Sequence, residues 1–254
     1  MTQAFEHDNG SHPFGSRFRR SINRHERRSE MKGKARPKLE TLELRWLPAL
    51  FTVQNLLDSG TGSLRQAILD AEANSEADTI DFNASLSASI NLNSTITINE
   101  NVGLSIEGPG ASTLAVSGGD TVKLFLINTT VPISFSNLTL RNGSTSGNGG
   151  AIELTSGANL TIADCTFSNN AASLRGGAIF GDDYSNLAIT DSSFSDNSAN
   201  YDGGAIFGDD YSNLTVTNSS FSNNSASRYG GAIYGNDNSN LSRTNGRRVK
   251  KEAS

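Results

Sequence analysis

From Gly149 onward, apolar and small polar residues alternate in a pattern that returns every 27 residues. Gly149-Gly150-Ala151-Ile152 recurs as Gly176-Gly177-Ala178-Ile179, Gly203-Gly204-Ala205-Ile206 and Gly230-Gly231-Ala232-Ile233. Asn-Leu pairs keep the same register at 159–160, 186–187, 213–214 and 240–241. Phe167, Phe194 and Phe221 form one column, Ile162, Ile189 and Val216 a second, and Asn170, Asn197 and Asn224 a third. Within a unit, runs such as Asn213-Leu214-Thr215-Val216-Thr217 alternate with period two, the mark of a half-buried strand. Helical spacing is absent, and the Gly, Asn, Asp and Ser content disfavours helix.

A strict period of this length means stacked supersecondary units. Two or three short strands per unit, joined at Gly-Gly or Asn-Asp corners, describe one coil of a solenoid. The pattern therefore predicts an all-β chain, a right-handed parallel β-helix with a short N-terminal capping helix. Equivalent side chains should stack at roughly 4.8 Å. Each apolar residue buried in the interior then contributes ~1.5–3 kcal/mol. Gly-Gly turns the chain where a Cβ would clash. Asn tolerates a left-handed corner, and stacked amides can bond along the column.

The stretch before the repeats reads as a lid. In residues 51–82, Ser63 followed by Gln66 is a capping-box signature, and Leu64, Ala67, Ile68 and Ala71 share one helical face. A solenoid exposes its core at its ends, and a helix of roughly ten residues here would plug one of them. From Thr79 to Gly143 the units are degenerate but strand-like, with turns at Gly108-Pro109-Gly110 and Gly118-Gly119. Short early coils widening to the full period are expected. At the other end, Arg243 falls where the Val216 column would recur, and Arg248 where the Phe221 column would. Charges in an apolar interior are costly, so the solenoid is expected to end near Leu241. The predicted organisation is a basic leader without fixed structure (1–50), a strand and helix cap (51–82), the β-helix (83–241) and a frayed basic tail (242–254).

Three resemblances add to this reading. The Gly-Gly-Ala-Ile strings with Phe167-Ser168-Asn169-Asn170, Phe194-Ser195-Asp196-Asn197 and Phe221-Ser222-Asn223-Asn224 resemble the polymorphic outer-membrane-protein repeat of chlamydial surface proteins. The segment with Asn55, Asp58, Gly60, Gly62, Ser63, Leu64, Arg65, Gln66, Ala67 and Ile68 is similar to the opening of many bacterial surface β-helix proteins. Leu39-Glu40-Thr41-Leu42-Glu43-Leu44-Arg45 resembles the export-associated motif of large planctomycete proteins. These resemblances imply an extracellular location or the cell outer membrane surface, with a structural or adhesive role towards a surface glycan or a neighbouring or host cell. The chlamydial passengers are usually followed by a β-barrel; no such pattern follows here, so export through a barrel in the same chain is not expected.

Charge sharpens the picture. The first 50 of the 254 residues hold 11 of the 21 Lys+Arg and 6 of the 26 Asp+Glu, so a leader of +5 precedes a body of −10. The leader lacks interleaved aromatics on a folded platform, so no nucleic-acid partner is expected. No apolar run approaches the ~18 residues of a membrane helix. Oligomeric state is not legible. The single cysteine, Cys165, is in register with Ser192 and Ser219 and reads as a structural side chain.

The candidate chemistry is a stack of carboxylates. Asp182-Asp183 and Asp209-Asp210 lie 27 residues apart and continue as Asn236-Asp237. Asp is a common turn former, so solvated corners are the plain reading. A column of oxygen ligands could also bind calcium at Asp182, Asp183, Asp209 and Asp210, the one cofactor considered. Catalysis by these carboxylates is the third option, but an active site is normally a break in a repeat and these residues belong to it. Arg175 and Arg228 read as isolated residues at coil ends. Tyr184 and Tyr211 stack beside the acids, as a structural ladder or a platform for sugar rings. The expectation is a non-enzymatic protein with no catalytic residues; the alternative is a carbohydrate-active β-helix, a polysaccharide lyase or hydrolase.

Overall fold

The computed structural model describes residues 48–244; residues 1–47, which hold all but the last three residues of the expected leader, and residues 245–254 lie outside it. Every strand pairing is parallel. The chain winds through an eight-stranded sheet, two six-stranded sheets and a four-stranded sheet that begins only at Ser144–Thr145, and from there each complete unit adds one strand to each. In one coil these are Asn159–Ala163 on the long face, Thr166–Ser168 on the second, Ala171–Ala172 on the short face and Ile179–Gly181 on the third. This is the solenoid that the period predicts.

Coil stacks on coil in register. Leu160, Leu187 and Leu214 lie opposite one another, as do Ile162, Ile189 and Val216, and all are buried. Phe167, Phe194 and Phe221 stack with ring centroids 4.7 and 4.8 Å apart and planes within 4° and 7° of parallel. The strand spacing itself sets that separation.

The asparagine columns divide two tasks between adjacent residues. Asn169, Asp196 and Asn223 take the left-handed corner, at φ 55°, 56° and 54°. Asn170 and Asn197 turn inward and are fully buried. The Nδ2 of Asn170 donates to Asn197 Oδ1 at 2.9 Å, and the Nδ2 of Asn197 donates to Asn224 Oδ1 at 2.9 Å. Each also donates to a carbonyl of the preceding coil, Leu140 and Phe167. The ladder thus satisfies buried backbone groups that the corner leaves without partners. The paired glycines have a separate reason. A Cβ on Gly177 would lie 2.1 Å from the carbonyl oxygen of Gly204, the equivalent residue of the next coil.

Two expectations need correction. The early coils are not short. Leu50 lies opposite Thr79, Thr79 opposite Ser105 and Ser105 opposite Ser134, which are steps of 29, 26 and 29 residues. The irregular sequence reflects corner loops of varying length, while the strands still pair. At the far end the last strand is Asn240–Thr244, which runs past Leu241. Arg243 does lie opposite Val216, but half-buried on a terminal layer, where backbone pairing continues without an apolar side chain.

Helix Leu64–Glu72 buries Leu64, Ala67, Ile68 and Ala71 against the first strands. Ser63 caps it through Gln66 N, whereas the Gln66 side chain donates to Asp70 instead of closing the box. Arg65 clamps the helix by donating to Asp58, Ser94 and Thr95. Beneath this cap lie two buried carboxyl groups. Asp78 stands in the column continued by Leu104, and accepts from Ala49 N and Asn74 Nδ2. Glu100 accepts from Asn101 N. One oxygen of each has no partner. Burial first, and for Glu100 also the nearby Asp78 and Glu72 carboxylates, raises both above the usual carboxylate range.

A raised folded-state pKa means that the folded chain binds more protons, so stability falls as pH rises through that range. Glu100→Gln should therefore raise the thermal midpoint at neutral pH, with the difference shrinking towards about pH 4, where both side chains are neutral. Melting curves across this range check the sign.

Candidate functional site

The acidic corners are tight turns between the third and long faces. Ser185 N donates to Asp182 O and Ser212 N to Asp209 O, both at 3.1 Å. The residue before each serine is left-handed, at φ 59° for Tyr184 and 58° for Tyr211. One coil earlier the same position is Gly157, at φ 74°. The turn pushes the acidic side chains and the tyrosine rings outward, and the rings stack at 5.0 Å, 6° from parallel.

Of the four expected cation ligands, three come together. Asp182, Asp183 and Asp209 each offer an oxygen within 4.8 Å of the others, and Asp210 is not part of that group. Partial desolvation, then the charges of Asp209, Asp182 and Asp210, raise the Asp183 carboxyl above its ordinary range. Asp209 already has partners: Asn236 Nδ2 donates to Oδ1 at 3.0 Å, and Arg175 Nη1 lies 3.6 Å from Oδ2. A bound calcium would have to share Asp209 with that guanidinium and find further oxygens to reach the six to eight it takes.

Arg175 and Arg228 are not isolated, which corrects the sequence reading. Arg228 donates from Nε and Nη2 to the two oxygens of Asp202, at 3.1 and 2.8 Å. Arg175 Nε lies 3.6 Å from the same carboxylate, which is 1% exposed. Their guanidinium carbons sit over rings: Arg175 is 4.8 Å from the Phe207 centroid, and Arg228 is 5.6 and 5.2 Å from those of Tyr201 and Tyr229. Phe180, Phe207 and Tyr234 stack beneath, 5.5 and 5.7 Å apart. The signal was present in the sequence. In the column Asn148, Arg175, Asp202, Tyr229 the residue type changes at every coil, with opposite charges one coil apart.

Other candidates carry less chemistry. Cys165 is buried at the end of a serine ladder in which Ser192 Oγ accepts from Cys165 N and Ser219 Oγ from Ser192 N. Burial pushes its thiol up to about 11, so the reactive thiolate is suppressed. A cavity of about 470 Å³ lies beside Tyr234, Leu241 and Arg243 on the last described coil. Among the described residues, no helix is long and apolar enough to cross a membrane.

The Asp202 carboxylate joins three successive coils. Asp202→Asn keeps the volume but cannot hold two guanidinium groups. It should lower the thermal midpoint by about 5 °C, the scale of losing charge-assisted bonds at a buried carboxylate in a domain of this size.

Comparison with known proteins agrees with the geometry. No curated protein matches the chain. Residues 76–245 match the family described as "Right handed beta helix region". The chain belongs to the right-handed β-helix family.

Proposed function

We propose that this protein is a non-enzymatic β-helix of the cell surface or of the secreted fraction, with a structural or adhesive role. The observation that carries this reading is the continuity of the repeat. The columns headed by Ile152, Leu160, Ile162 and Phe167 keep apolar residues at the same inward positions in each following coil up to Phe221, and the carboxylates at 182, 183, 209 and 210 belong to corners that recur. The described strands and corners hold no histidine. The resemblance to chlamydial surface repeats and to the exported planctomycete motif supports the location.

One observation favours the second reading, a carbohydrate-active β-helix. Asp182, Asp183 and Asp209 draw together beside Arg175, a set able to act on a polysaccharide if a cation joined it. Against it stands the sign of the corner, since clustered carboxylates repel uronate polymers.

Incubation of the purified chain with pectin, alginate and a neutral polysaccharide, with and without calcium, separates the two. No new reducing ends and no unsaturated products are expected under any condition. Calcium-dependent cleavage that is lost in Asp183→Asn would replace the first reading with the second.

A further inference from the structure

The wall that bears the acidic corners already seats guanidinium groups, and does so in one manner. Arg175 lies between the Phe207 ring and the carboxylates of Asp202 and Asp209. Arg228 lies against Tyr201 and Tyr229 with both oxygens of Asp202. In each case an aromatic face and a carboxylate hold one cation between them.

The Asp-Asp-Tyr corners present a third set of the same parts. Tyr184 and Tyr211 stack at 5.0 Å and are 57% and 51% exposed. The column position before Tyr184 is Gly157, so the ring face turned away from Tyr211 meets no side chain of its own column. Asp182, Asp183 and Asp210 share the corners with the two tyrosines, and Tyr184 N donates to Asp210 O at 3.1 Å. Among the described residues no ion pair reaches these three carboxylates, and no cation covers either tyrosine.

We propose that the Tyr184–Tyr211 pair, with the carboxylates of Asp182, Asp183 and Asp210, is a docking site for arginine side chains on a basic segment of a partner protein. Charge complementarity selects this occupant. The chain after residue 50 carries a net −10, and the corner gathers like charges, with Asp182, Asp183 and Asp209 each offering an oxygen within 4.8 Å of the others. A guanidinium relieves that repulsion and also uses the ring faces. A metal ion would leave the rings idle, and a neutral sugar would leave the charge uncompensated. The backbone is consistent with this assignment: left-handed φ is costly for tyrosine, and the exposed rings regain little by packing within the chain.

The proposal rests on the adhesive side of the function proposed above. The intact chain is titrated calorimetrically with an oligo-arginine peptide, an oligo-lysine peptide of equal length, calcium chloride and a neutral cello-oligosaccharide. Oligo-arginine should bind, and more tightly than oligo-lysine, because only its planar group stacks. The double variant Tyr184→Asn with Tyr211→Asn should bind oligo-arginine about tenfold more weakly. Asparagine accepts the left-handed corner, so this variant should melt no lower than the parent chain. Asp183→Asn should weaken binding as well. Unchanged affinity in the folded double variant, no binding of oligo-arginine, or tyrosine-dependent binding of calcium or of the oligosaccharide in its place would overturn the proposal. None of those results touches the non-enzymatic reading, which only polysaccharide cleavage removes.

Discussion

A coil of this protein is too small to enclose its own interior, so its inward side chains leave water only when the next coil covers them. Everything else follows from keeping the two in register. The side-chain period of a strand is two, and a slip of one residue would turn Ile162, Ile189 and Val216 outwards. The register is held by parts that fit in one alignment. The phenylalanine rings stack at the strand spacing, the buried amides of Asn170, Asn197 and Asn224 bond from coil to coil, and Gly177 and Gly204 approach too closely to admit a Cβ.

This constraint acts inward only, which is why the outer wall is free to vary. The inward columns headed by Leu160, Ile162 and Phe167 keep apolar residues coil after coil. The column Asn148, Arg175, Asp202, Tyr229 at the coil edge does not, yet Arg175 and Asp202 still pair across coils. The ends of the stack answer to a different demand. At the N-terminal end a nine-residue helix covers the interior, and beneath it Asp78 takes a place that leucines and isoleucine fill in later coils. The cap therefore contains the buried carboxyl groups whose charge the fold does not compensate.

The parallel winding, the apolar columns and the capping helix were legible because they follow from period and alternation alone. The early coil lengths were not, since corner loops change length without disturbing strand pairing. Which asparagine of a neighbouring pair takes the left-handed corner was not legible either, because Asn169 and Asn170 are alike in type and differ only in direction. At the candidate site the stacked tyrosines and the acidic corner could be read from the sequence. The contact between Arg175 and Asp209 could not, because it joins residues 34 positions apart, off the 27-residue period.

Removal of whole and partial units tests the coil-on-coil account most directly. Deleting residues 176–202, one complete 27-residue unit, joins Arg175 to Gly203 and restores the same neighbours. Deleting residues 176–188 removes about half a coil and destroys the alignment. Thermal unfolding followed by circular dichroism should show a cooperative β-sheet transition for the first and a broad or absent one for the second. Equal behaviour of the two deletions, or loss of cooperative unfolding in the first, would contradict the claim that alignment between successive coils holds the molecule together.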